Sequence, residues 1–341
     1  MDKANLDWSN LHFAYTPTNC HLEYYYKNGK WSEAKIVEQD TINLSMAATC
    51  LHYGQEAFEG LKAFEHKDKT VSIFRPDENA RRMISSAQRI LMAEPPEELF
   101  LDAVEKIVQL NKEFIPPYGS GASLYIRPLL IGISGILGVK RSEEYLFLVF
   151  ASPVGPYFKE GLKPITLYVE EKLKRAVPGG TGNVKVGGNY AASLLVSKKV
   201  KGLGYNEVLY LDAIQNHYID ESGPANFFGI TKDKKYITPK SESILPSITN
   251  KSLMVLAKDL GLTVEQRPMP VDEIFDLTEA GCCGTAAVIT PVKSITYREQ
   301  TVTYIDDDQI GKYSLQLYNK LRAIQMGDEE DKYGWNYKVK L

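Results

Sequence analysis

Polar and apolar residues alternate in H-L-E-Y-Y-Y-K-N-G-K-W, starting at His21, and the alternation predicts two β-strands. They meet at Asn28-Gly29, a dipeptide that tolerates the positive φ of a tight hairpin turn. From 51 to 64, L-H-Y-G-Q-E-A-F-E-G-L-K-A-F reads as a turn, a helix and then a strand, with Tyr53, Phe58 and Phe64 on one side and Phe64 as core. V-S-I-F follows as a strand ended by Pro76, with Asp77 as a first-turn acid. Ala80, Met83, Ile84, Ala87 and Ile90 then recur at helical spacing. Arg81 and Arg82 are consecutive, so at most one of them faces a given site. A second helix over about 97–114 stops before Pro116-Pro117. A-S-L-Y-I-R-P-L-L-I-G predicts a strand whose Tyr125 and Arg127, two apart, share a face. Such a pair can receive an acid group or brace a structural carboxylate. Y-L-F-L-V-F-A-S, from Tyr145, is apolar throughout and predicts a buried strand.

The prolines and glycines of S-P-V-G-P-Y-F-K-E-G-L-K-P, from Ser152, interrupt every regular pattern. This divides the chain into a first domain, 1–152, a connection, 153–163, and a second domain, 164–341. Tyr157 lies in the connection, where it can look into a cleft. The second half opens with P-I-T-L-Y-V-E as a strand. Asn189 is the expected cap of a helix that runs to about Lys201 and ends at Gly202 and Gly204. N-E-V-L-Y-L-D-A is a strand, and two more flank a Ser-Gly-Pro turn that carries Glu221, where an isolated acid is ordinarily solvated. Ser247 caps a helix ended at Gly261; its first turn has N–H groups and hydroxyls but no acid, an arrangement suited to an anion. V-D-E-I-F-D-L-T-E-A, from Val271, reads as helical. G-C-C-G-T-A-A, from Gly281, supplies small residues that open backbone amides to a ligand ahead of the strand beginning at Val288.

The 341 residues are 44% hydrophobic and 24% charged, with a formal net charge of -3. That balance lacks the basic footprint of a nucleic-acid or anionic-membrane protein. No run of 18 apolar residues suits a membrane helix, and the first residues lack the apolar core of a signal peptide. The four cysteines are irregularly spaced; Cys282-Cys283 matches neither a zinc site nor a redox C-x-x-C pair. A reducing cytoplasm and no metal are the inferences.

One stretch stands apart from these solvated patterns. G-G-T-G-N-V-K-V-G-G-N-Y, from Gly179, surrounds Lys185 with five glycines and two valines, and no other charge occurs from Gly179 to Ser197. Burying an ammonium is costly or depresses its pKa, and proteins keep such lysines for amine chemistry such as Schiff-base formation. Flanking glycines let a flat ligand approach the backbone.

With F-E-G-L-K-A-F, F-R-P-D-E-N-A-R-R-M, L-Y-I-R-P, G-G-N-Y and L-P-S-I-T in this order, the chain closely resembles the branched-chain-amino-acid aminotransferases. These are class IV, fold-type-IV enzymes of pyridoxal 5′-phosphate. The resemblance runs from about residue 10 to Y-G-W near the C-terminus. It implies a mixed α/β, two-domain fold like that of D-amino-acid aminotransferase: a small N-terminal α/β domain and a larger C-terminal cofactor domain with a β-barrel-like core. It implies ping-pong transfer of an amino group between L-leucine, L-isoleucine or L-valine and 2-oxoglutarate. Another class IV enzyme, a D-amino-acid or amine transaminase or aminodeoxychorismate lyase, is the alternative.

The resemblance also assigns roles. Lys185 carries the Schiff base and shuttles the proton, and Glu221 pairs with the cofactor's ring nitrogen. Tyr190 meets the phenolic oxygen, while Arg82, Ile248, Thr249 and Thr285 hold the phosphate. Tyr53, Phe58, Tyr125 and Tyr157 surround the substrate side chain, and amides of Thr285 and Ala286 take the α-carboxylate. Arg127 serves the second carboxylate of the other substrate, and Tyr53, Leu137 and Val139 reach in from the partner of a homodimer. Two departures from the family stand out. Ala287 and Thr290 occupy the positions of a C-x-x-C pair in mammalian members, and Pro224 replaces a threonine or glycine beside the substrate.

Overall fold

The computed structural model describes residues 3–156, 162–306 and 309–341. The chain forms two compact units. Met1–Lys159, Val184–Gly187 and Ala323–Leu341 make the first; Glu160–Asn183 and Gly188–Arg322 make the second. The short Val184–Gly187 segment therefore clusters with the first unit although both its flanks belong to the second.

The first unit is built on one antiparallel sheet. Its strands run Asn336–Val339, Val71–Phe74, Leu61–Glu65, Ser123–Gly132, Tyr145–Val154, His21–Lys27 and Lys30–Trp31, with Lys35–Val37 added to His21–Lys27 and Glu56–Phe58 to Ser123–Gly132. The two longest strands pair in unbroken register from Ser123↔Val154 to Gly132↔Tyr145. The hairpin forms where the alternation placed it: Lys27 pairs with Lys30, and Asn28 and Gly29 take φ of 51° and 79°. The Pro76–Arg89 helix starts on its proline, with Asp77 and Glu78 in the first turn. Ala80, Met83 and Ala87 are buried in the core with Phe100, Ile107, Leu124 and Phe147. The consecutive arginines part company as expected: the Arg81 side chain is 55% exposed and that of Arg82 only 9%. The next helix, Glu97–Leu110, ends a turn early. Asn111 is the cause: its side-chain amide donates to the carbonyls of Ile107 and Cys20 and accepts from the Cys20 N–H, ending the helix ladder.

The second unit carries a mixed sheet. Ile219–Ser222 pairs with Glu207–Leu211 on one side and with Ala225–Thr231 on the other. That double pairing closes six strands, with Ile165–Glu170, Val288–Tyr297 and Leu277–Gly284 completing the ring, into a barrel. Lys235–Pro239 and Thr263–Arg267 extend it, and Gln300–Thr303 pairs with Val288–Tyr297. The fold is thus mixed α/β with a β-barrel core. Ser247 caps the Ile248–Asp259 helix, its Oγ accepting from the Asn250 N–H at 3.2 Å.

Two expectations in this half are corrected. The helix read over 271–280 is one 3-10 segment, Val271–Asp276, followed by the Leu277–Gly284 strand. Barrel pairing on both edges overrides the local pattern, and Gly281 leaves room for the Phe228 ring, which an added Cβ would meet at 2.4 Å. Asn189 does not cap a continuous helix. It lies within Gly187–Ala191, separate from Leu194–Gly202, and its amide is tied to Thr181 by bonds of 2.8 and 2.7 Å. Among the described residues, no helix is long and apolar enough to cross a membrane.

Candidate active site

Lys185 is pinned on both sides within the first unit. Its N–H donates to Ser86 Oγ at 3.0 Å, and its carbonyl accepts from the Phe58 N–H at 3.1 Å. Two residues on, the Gly187 N–H donates to Glu56 Oε1 at 2.5 Å. Val184 and Val186 are buried in the first unit's core, so alternation turns the Lys185 side chain the other way, half-buried. Its Nζ lies 4.5 Å from the centre of the Phe58 ring. Arg127 Cζ lies 4.9 Å from the same ring and 5.3 Å from that of Tyr125. Arg127 Nη2 donates to the Tyr125 hydroxyl at 3.0 Å. Gly60 makes that arrangement fit, since a Cβ there would come 2.0 Å from the Tyr125 hydroxyl oxygen. Lys185, Phe58, Tyr125 and Arg127 therefore form one cluster of amine, guanidinium and aromatic faces.

Arg82 sits one helical turn before Ser86, whose hydroxyl donates to the Arg82 carbonyl. Its Nε and Nη2 both donate to the fully buried carboxylate of Glu59, at 2.7 and 2.8 Å. That fork is one of the edges by which a guanidinium grips an oxyanion bidentately; here Glu59 takes it and orients the arginine. The Tyr53 hydroxyl donates to the Leu137 carbonyl. Leu137 and Val139 are 84% and 86% exposed. These three residues form an outward-facing group.

The second unit holds the remaining candidates. Glu221 is 2% exposed rather than solvated at its turn. It accepts from the Leu245 N–H and lies 3.3 Å from Arg175, itself anchored by the Gly182 and Ser243 carbonyls. A buried carboxylate held by a backbone N–H and a guanidinium is placed to face a further cation or a protonated ring nitrogen. Glu221 pairs in register with Asn226 and Asn226 with Cys283, so the 285–287 turn lies at the same end of the barrel as Glu221. The Asn226 Nδ2 donates to the Leu245 carbonyl, two residues before the helix cap, while its Oδ1 is buried without a partner among the described residues. Ile248 and Thr249 are buried in the first turn of that helix; Tyr190, Thr285 and Ala286 are partly buried. Cys282 and Cys283 are buried thiols. Burial pushes Cys282 up to about 12 and Cys283 well up, so both stay protonated and unreactive. Tyr157 lies outside the described residues.

Glu56, Glu59, Ser86 and Arg175 escaped the sequence reading. Glu56 carried one legible signal: it stands two residues before Phe58 on a strand, hence on the same face.

The amino-transferase class IV family model matches residues 56–295. The chain belongs to the class IV aminotransferases. The branched-chain-amino-acid aminotransferase of Helicobacter pylori strain J99 is 48% identical over 337 residues, covering 98% of each chain. The crystal structure of the Escherichia coli branched-chain amino acid aminotransferase superposes with a TM-score of 0.77 at 27% identity, covering 94% of this chain and 100% of that one. A T.th. branched-chain amino acid aminotransferase complexed with N-(5′-phosphopyridoxyl)-L-glutamate gives the same TM-score and identity, covering 95% of this class IV chain and 100% of the other.

Proposed function

We propose that this class IV aminotransferase carries out reversible amino transfer between L-leucine, L-isoleucine or L-valine and 2-oxoglutarate. The observation that carries the reading is Lys185: its backbone is pinned by Ser86 and Phe58, Gly187 two residues on is held by Glu56, and its half-buried amine faces the Phe58 ring that Arg127 also meets. Near-full-length identity to branched-chain enzymes supports the substrate class. The cofactor is pyridoxal 5′-phosphate, which when bound supplies an electron sink for charge at the substrate Cα.

The residues that suit it are Lys185 for covalent attachment and Glu221, backed by Arg175, for the ring nitrogen. Tyr190 serves the phenolic oxygen. Arg82, Ile248, Thr249 and Thr285 serve the phosphate, with the capped helix contributing free N–H groups and its dipole. The Lys185 amine would hold and move the proton at the substrate Cα. Phe58 and Tyr125 take the aliphatic side chain, and the Thr285 and Ala286 amides take the α-carboxylate. Arg127 takes the second carboxylate of the dicarboxylic substrate.

Tyr53, Leu137 and Val139 face outward, and we assign them to the site of a partner subunit in a homodimer. The exposure of Met46 at 88% and Leu51 at 60% supports burial of this side of the first unit against a second copy. Four free cysteines suit a reducing cytoplasm.

The test is near-ultraviolet and visible absorbance of the holoenzyme with and without L-leucine, beside Lys185→Ala. L-Leucine should shift the cofactor band. The variant should keep its circular dichroism, lose the band of lysine-linked cofactor and lose roughly 10⁴-fold or more in kcat. A band moved by D-leucine but not by L-leucine would overturn the substrate class, and normal turnover by the variant would overturn the role of Lys185.

A further inference from the structure

Arg127 is a cation with an unmet need. Among the described residues its Nε is buried without a hydrogen-bond partner and Nη2 reaches only a tyrosine hydroxyl, and the guanidinium lies over two aromatic rings. Lys185 Nζ shares the Phe58 ring with it. Lys62, buried and paired in register with Tyr125, stands on that face too. An aliphatic substrate side chain packed onto this group removes water and offers no compensating charge, a costly state for a guanidinium.

A carboxylate stands on the same face. Glu56 pairs in register with Ile131 and Phe58 with Leu129. Directly opposed residues share a face, and alternation then brings Glu56, Phe58, Arg127 and Tyr125 to one side of the sheet. Glu56 is held there and cannot swing into solvent without giving up the Gly187 N–H. Gly187 has no space to spare: a Cβ would lie 1.9 Å from Glu56 Oε1. Burial raises the Glu56 pKa, while the Gly187 N–H and the charge of Arg127 oppose the rise.

We propose that Glu56 is a specificity-determining residue: its carboxylate is the resident counter-charge of Arg127 while an aliphatic side chain is bound, and the substrate's second carboxylate takes over that role when a dicarboxylic acid is bound. Glu56 thereby supports the aliphatic substrate and repels the dicarboxylic one, bringing the two affinities together in a site that must accept both. The inference rests on the reading of Arg127 given above.

The test uses holoenzyme and two dead-end acids, glutarate and 4-methylvalerate, with dissociation constants measured by calorimetry. Glu56→Gln keeps an oxygen for the Gly187 N–H and removes the charge. It should tighten glutarate and weaken 4-methylvalerate, moving their affinity ratio on the order of tenfold toward glutarate. Glu56→Asp keeps the charge and should keep the wild-type ratio. In an Arg127→Gln background the Glu56→Gln change should leave the ratio where Arg127→Gln alone sets it. An unchanged ratio in Glu56→Gln, or the same shift with Arg127 already removed, overturns the proposal. If Arg127→Gln does not weaken glutarate binding to the otherwise wild-type enzyme, the reading of Arg127 itself fails and this inference falls with it.

Discussion

Lys185 is held through its own backbone. Ser86 and Phe58 hold its N–H and carbonyl, and Glu56 holds Gly187 two residues on. Gly187→Ala should therefore act on catalysis more than on folding. A methyl placed 1.9 Å from Glu56 Oε1 must push the segment or the carboxylate aside. Displacement on the order of 1 Å costs about 10²-fold in rate when reacting groups are held in place. We expect that loss in kcat/KM for L-leucine, with circular dichroism unchanged, and a wild-type rate would show that the segment tolerates the shift. Lys185 stands out in the sequence because one charge among glycines and valines contradicts ordinary surface patterning. Glu59 and Ser86 do not, because their partners lie 23 and 99 residues away.

At the scale of elements, the turn after the Glu207–Leu211 strand depends on one carboxylate. Asp212 accepts from the N–H groups of Ile214, Gln215, His217 and Tyr218 at 2.6 to 3.0 Å. Burial alone would raise its pKa, but these donors outweigh burial and lower it to about 2. The folded pKa lies below the unfolded value of about 3.9, so the ionised turn contributes its full stability above about pH 4. That contribution is lost as the pH falls toward about 2. Asp212→Asn should cost about 1–2 kcal/mol in denaturant unfolding at neutral pH. It should also flatten the acid limb of stability against pH, and equal acid limbs in the two proteins would refute the assignment. Local signals located most elements here: Ser247 as a cap, Asn28-Gly29 as a hairpin and Pro76 as a helix start all rest on short-range chemistry. The Leu277–Gly284 strand was misread because its first residues follow a helical pattern, and only two neighbouring strands decide it.

Across the whole molecule, the exposure of Leu137 and Val139 leads to a prediction about assembly. Sedimentation should show the wild-type protein at twice the chain mass, and Leu137→Asp with Val139→Asp should shift it toward monomer and reduce turnover together. A wild-type monomer with full activity would exclude the shared site.

The sequence by itself determined the chemistry and most of the local structure. A lysine isolated among glycines, an acid-free helix start and paired Tyr125 and Arg127 are patterns set by neighbours within a few residues. The tertiary structure decided how those pieces are held. It carried Val184–Gly187 to the first unit while both flanks belong to the second, closed six strands into a barrel, and buried Glu221 against Arg175. It also gave the Nε–Nη2 fork of Arg82 to Glu59 and brought Glu56 to the face of Arg127. Each of these depends on strand register or on contacts between residues distant in the chain. Local periodicity has a reach of one or two turns and does not encode such pairings.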